Sequence, residues 1–133
     1  MKKVLTVGVF DYFHLGHLRL LEQARECGDY LIVAVQDDGC VLKYKPDADV
    51  LYSLDERIEM MMAVKCVDEV IVYGDVDVIV KEVDFDVFAV GEDQTHEGFQ
   101  RAVQFCLENG KEVARLKRTR NISSENIKQR ILA

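Results

Sequence analysis

The segment Val9-Phe10-Asp11-Tyr12-Phe13-His14-Leu15-Gly16-His17 holds the side chains best suited to chemistry. It joins an apolar run to an amphipathic one, so it is expected to link a strand to a helix. Two imidazoles at this spacing can converge on one anion. Gly16 lets the backbone approach closely, and the following helix offers free N–H groups and the positive end of its dipole. Imidazoles of ordinary pKa can donate hydrogen bonds to phosphoryl oxygens as charge builds on them. The bland alternative is a pair of unrelated surface histidines. Since the chain has only three histidines and two fall here, that alternative is weak.

The elements that must position these rings alternate along the chain. Val4–Phe10, Tyr30–Val35, Glu69–Tyr73, Val87–Val90 and Val113–Leu116 are short and rich in Val and Ile, the pattern of strands buried on both faces. Leu18, Leu21 and Ala24 mark one face of a first helix, which Gly28 is expected to end. Ser53-Leu54-Asp55-Glu56 is a capping box that opens a second, with Ile58, Met61 and Met62 facing inward. Val76, Ile79, Val80 and Val83 fit a third, and Phe99, Ala102, Val103, Cys106 and Leu107 a fourth, ended by Gly110. A last helix is expected to start near Ser123. Such alternation predicts an α/β fold: a single-domain, Rossmann-like, doubly wound parallel sheet of five strands with helices on both faces. Ligands bind such sheets at the carboxyl ends of the strands, so the loops after Phe10, Val35, Val90 and Leu116 should share one rim. Gln36 to Tyr52 is the longest of the predicted loops and a candidate flap.

Composition narrows the class. At 133 residues the chain is expected to be one domain, 1–133. No apolar run approaches the ~20 residues that span a bilayer. Met1-Lys2-Lys3 and the apolar stretch after it could pass for a signal peptide. That stretch stops at Asp11 with no small-residue cleavage site, so it reads as a strand. Cys27, Cys40, Cys66 and Cys106 form no Cys-x-x-Cys pair, which argues for free thiols in a reducing cytoplasm and against a zinc site. A formal charge of -7 argues against nucleic acid or anionic membrane as partner. From Lys111 onward the chain carries +5, leaving -12 on residues 1–110. A basic end on an acidic chain can serve a bound polyanion, or be only a solvated face.

His14-Leu15-Gly16-His17 after a first strand resembles the signature of the cytidylyltransferase-like nucleotidyltransferases, relatives of the class I aminoacyl-tRNA synthetase catalytic domain. Phe10-Asp11 fits the same pattern. Arg118-Thr119-Arg120-Asn121-Ile122-Ser123-Ser124 resembles the family's Arg-Thr-x-x-Ile-Ser motif, and the likeness spans essentially the whole chain. The short length leaves nothing to recognise tRNA, so a synthetase is not expected.

The resemblance implies roles residue by residue. His14 and His17 would stabilise charge at the α-phosphate, with Lys43 and Arg118 as further catalytic cations. Nucleotide binding would fall to Val9, Phe10, Gly16, Lys45, Gly91 and Asp93, together with Thr119, Ile122 and Ser123 of the second motif. Asp11, Asp38, Lys43, Arg57 and Gln94 would meet the acceptor. On residue type alone Lys43, Lys45 and Arg57 read as solvated charges, Ser123 as a helix N-cap, and His96 as an exposed loop residue. Asp68 matches a family aspartate or is a strand-edge residue. Val9 stands where the family's motif usually has Thr or another small polar residue, and Gln94 where the nearest branch has an aromatic. Arg120-Asn121 replaces an acidic residue and a glycine.

The implied reaction joins CMP from CTP to a small phosphorylated alcohol, glycerol 3-phosphate first among them, with pyrophosphate leaving. A phosphate nucleophile is already anionic near neutral pH, so the chemistry asks for positioning and electrostatic stabilisation rather than a strong base. No metal ligand is expected on the protein. Mg²⁺ is expected on the triphosphate, held by phosphate oxygens and water. A homodimer is also implied. Two alternatives stay open: an adenylyltransferase acting on a sugar phosphate or coenzyme precursor, and a non-catalytic nucleotide-binding relative.

Overall fold

Val- and Ile-rich segments with no polar face must be covered on both sides, and the helices that alternate with them supply the cover. The computed structural model describes residues 1–119 and 123–132. Strands β1 (Lys3–Gly8), β2 (Tyr30–Gln36), β3 (Glu69–Tyr73), β4 (Val87–Gly91) and β5 (Glu112–Leu116) form one parallel sheet in the order β3-β2-β1-β4-β5. The helices are α1 (Leu15–Glu26), α2 (Asp38–Tyr44), α3 (Leu54–Met62), α4 (Val76–Glu82), α5 (Glu97–Glu108) and α6 (Ser124–Leu132). Successive strand residues alternate between two cores. Val4, Val33, Val87 and Ala89 pack with Leu21 and Ala24 of α1 and Met61 of α3. Leu5, Val7, Phe88 and Val90 pack with Val76, Ile79 and Val80 of α4 and Phe99, Ala102 and Cys106 of α5. The doubly wound sheet expected from the sequence is therefore present, and β1 lies at its centre. Its order reverses between β1 and β4, the switch point where such sheets bind ligands.

Four details depart from expectation. β1 ends at Gly8, because Phe10 turns the chain with φ 56 instead of extending it. Gly28 does not end α1. Cys27 caps that helix, and Gly28 is small because a Cβ there would lie 2.6 Å from the Lys2 carbonyl oxygen. Met62 points outward, 68% exposed, since α3 spends its inward positions on Arg57 and Met61. Gln36 to Tyr52 is not one long loop. Asp37 accepts a hydrogen bond from the Cys40 amide and caps α2 within it. The predicted capping box is in place: Ser53 accepts from the Glu56 amide at 3.2 Å and Glu56 from the Ser53 amide at 2.9 Å.

Candidate active site

The chain leaves β1 in an unusual backbone. Phe10 and Tyr12 have φ 56 and 51, a region that costs bulky residues roughly 1–3 kcal/mol each and persists where surroundings enforce it. The enforcement is visible. The Phe10 ring is 4% exposed and packs over Gly8, where a Cβ would lie 2.9 Å from it. Asp11, between the two, accepts hydrogen bonds from the Leu51 and Tyr52 amides at 2.7 and 3.0 Å. Its carbonyl accepts from the Ser124 hydroxyl at 3.0 Å, which fastens the start of α6 to the same turn. Lys128 lies over the Tyr12 ring at 4.9 Å.

This strained turn presents the histidines at the start of α1. His14 is the N-cap, and each histidine's Nδ1 accepts from the other's backbone N–H at 3.4 Å. With Nδ1 accepting, a neutral ring carries its proton on Nε2, so both rings keep a donor for a ligand. They stack 3.9 Å apart, and His17 also meets Phe13 and the edge of Phe10. Burial, then the His14 ring, pull the His17 pKa down to about 4, against a smaller upward pull from Asp11. His14 is lowered too, by burial and by the Arg118 guanidinium. Both are therefore neutral donors at neutral pH. A group whose folded pKa lies below its unfolded value of 6.5 takes up its proton first in the unfolded chain. Stability is thus expected to fall as pH drops from 6.5 toward 4, then to level with respect to this ring. Thermal unfolding across that range should show a shallower loss in His17→Gln than in the native chain; equal slopes would contradict the shift.

Arg118 follows β5 on the neighbouring rim. Its amide donates to Glu92 Oε1 at 3.1 Å and its guanidinium lies 3.7 Å from Asp93. Sequence reasoning missed Glu92, whose signal was its place between Gly91 and Asp93. Arg57 is the only charged residue among the described ones with no exposure. Its guanidinium donates to the carbonyls of Tyr52, Val9 and Gln36 at 3.2, 2.9 and 2.9 Å and pairs with Asp38. It thus ties together the ends of β1 and β2, the lead into α3 and the first turn of α2. Lys43 sits on the last turn of α2, 3.6 Å from Asp75, whose carboxylate raises its pKa. Tyr44 donates to the same carboxylate and stacks on His96 at 6.0 Å. Lys45 caps α2 and is exposed, and Thr119 is half-buried.

Gln94 has its amide engaged within the chain, accepting from Gly91 N at 2.9 Å and donating to the Val7 carbonyl at 3.1 Å. Ser123 accepts from the Asn126 amide at 3.1 Å, as an N-cap of α6 does. His96 caps α5 in the same way through Gly98. Asp68 accepts from the Leu31 amide and pairs with Arg25 at 3.1 Å. Ile122, with Arg120 and Asn121, lies outside the described residues. The structure thus stacks His14 on His17, and the charge of Arg118 acts on His14. Lys43 it turns to Asp75, and Arg57 it places beneath the rim.

Paired imidazole donors at the switch point of a parallel sheet, with an arginine charge acting on one of them, suit the phosphates of a bound nucleotide. The chain belongs to the cytidylyltransferase-like family, whose model matches residues 5–130. It is 39% identical to glycerol-3-phosphate cytidylyltransferase of Staphylococcus aureus, over 98% of this chain and 96% of that one. It is also 41% identical to FAD synthase of Thermococcus kodakarensis, over 69% of this chain and 63% of that protein. A lipopolysaccharide core biosynthesis protein from Thermoplasma volcanium is similar in structure, with TM-score 0.76 and 26% identity over 90% of this chain and 98% of its own.

Proposed function

We propose that this protein transfers CMP from CTP to glycerol 3-phosphate. An oxygen of the acceptor's phosphate forms a bond to the α-phosphorus in line. The bond from that phosphorus to the bridging oxygen breaks, and pyrophosphate leaves with the electron pair. The observation that carries the reading is the pair of Nε2 donors held by reciprocal Nδ1 contacts, with the charge of Arg118 acting on His14. Preorganised donors of this kind cost no reorganisation as charge develops. The acceptor rests on likeness to a glycerol-3-phosphate cytidylyltransferase across nearly the full length of both chains. The rim's N–H donors and the Arg118 guanidinium suit phosphate oxygens. Mg²⁺ in this reading arrives with the triphosphate, held by its oxygens and water.

The reading extends to a homodimer in the cytoplasm. Val72 on edge strand β3 and Ile131 and Leu132 on α6 are exposed apolar side chains, consistent with a covered surface. None of the described helices is long and apolar enough to cross a membrane. Calorimetric titration without acceptor tests the nucleotide. CTP is expected to bind more tightly than ATP; the reverse order would favour adenylyl transfer on the same site.

A further inference from the structure

β1 pairs with β2 in register along its whole length, through Gly8↔Val35, and β4 pairs with β5 through Gly91↔Leu116. Between β1 and β4 the register covers only Val4↔Val87 and Leu5↔Phe88. Past Phe88 these two strands part, and side chains cross the gap. Thr6, fully buried, donates to the Ala89 carbonyl at 2.9 Å. Nearer the rim, Gln94 uses both ends of its amide, on Gly91 N of β4 and the Val7 carbonyl of β1.

The two backbones joined by Gln94 carry different halves of the site. Val7 leads through Gly8 and Val9 into the turn that presents His14 and His17. Gly91 leads into Glu92 and Asp93, which hold Arg118. A triphosphate lying over the switch point must meet both halves at once. We infer that Gln94 is a positioning residue, fixing the separation of the histidine turn and the Arg118 rim where the backbone ladder no longer does so. The inference rests on the nucleotidyl-transfer reading for its catalytic consequence, and on geometry alone for the brace. A carboxamide can serve both positions because it carries a donor and an acceptor. A carboxylate keeps the acceptor for Gly91 and sets a negative charge against the Val7 carbonyl. A thioether of similar length supplies neither strong partner.

The test compares Gln94→Met and Gln94→Glu in the full chain. Exchange of the Gly91 amide is followed by NMR without substrate, and kcat and KM are measured well below each variant's melting temperature. In Gln94→Met the Gly91 amide is expected to exchange about tenfold faster or more, as an opened hydrogen bond does. Its kcat is expected to fall about tenfold, within the range that small misplacements of reacting groups produce, with little change in acceptor KM. Gln94→Glu is expected to keep the Gly91 amide protected and still lose kcat, which separates bracing from a general loss of structure. Unchanged kcat in Gln94→Met would overturn the inference. So would an effect confined to acceptor KM, because Gln94 would then be touching the acceptor. If the native chain shows no turnover with any nucleotide, the functional reading falls, and Gly91 exchange still decides the brace. Faster exchange in Gln94→Met with protection kept in Gln94→Glu upholds it, and unaltered exchange in both removes it.

Discussion

Replacing His17 by alanine is expected to lower kcat by roughly 10²-fold or more, the scale seen when one preorganised donor to a developing charge is removed. The ring's only free polar atom is Nε2, since Nδ1 accepts from the His14 amide. Its loss therefore takes away a donor that water in a half-buried site replaces poorly. The substitution also breaks the reciprocal cap of α1, so some stability goes with it. Loss of a cap costs about 1 kcal/mol, small enough to leave the chain folded. Melting temperature and kcat measured on the same variant separate the two effects. A His17→Ala protein with near-native kcat would remove the histidines from the mechanism.

Arg57→Ala is expected to have the largest effect on stability. The change strands the carbonyls of Val9, Gln36 and Tyr52 and leaves Asp38 without its partner. Each unsatisfied buried group costs roughly 1–3 kcal/mol, so a total of about 3 kcal/mol or more is expected even with water entering. Asp38 contributes less, because its side chain is 52% exposed. Lysine has one charged nitrogen for four directions, so Arg57→Lys should recover only part of the loss. Urea unfolding reads both variants. A change below about 1 kcal/mol in Arg57→Ala would show that the carbonyls find other partners, contrary to this packing.

Strands were legible because burial on both faces leaves an unbroken Val/Ile run, and Ser53-Leu54-Asp55-Glu56 announced α3 through its own hydrogen bonds. The end of β1 was not. Val9 and Phe10 continue the apolar run, and only the left-handed turn at Phe10 shows that the ring buries itself by folding back. α2 was hidden by its seven-residue length, too short for an apolar period to emerge. Within the site, spacing alone pointed to His14 and His17. Arg57 could not be placed this way, because an arginine on a helix is ordinarily solvated, and the carbonyls that surround it come from three separate segments. Gln94 was singled out for the acceptor, and its link between two strands escaped for a similar reason. Its partners lie on β1 and β4, and nothing in the local sequence says that those strands part.

Nucleotidyl transfer itself is tested most directly by following CTP and glycerol 3-phosphate with the protein by ³¹P NMR. Pyrophosphate and CDP-glycerol are expected to appear together, one for one. Neither should form when either substrate is left out, and both should form roughly 10²-fold more slowly or worse when His17 is alanine. Release of inorganic phosphate in place of pyrophosphate, or no product from the complete mixture, would contradict the account.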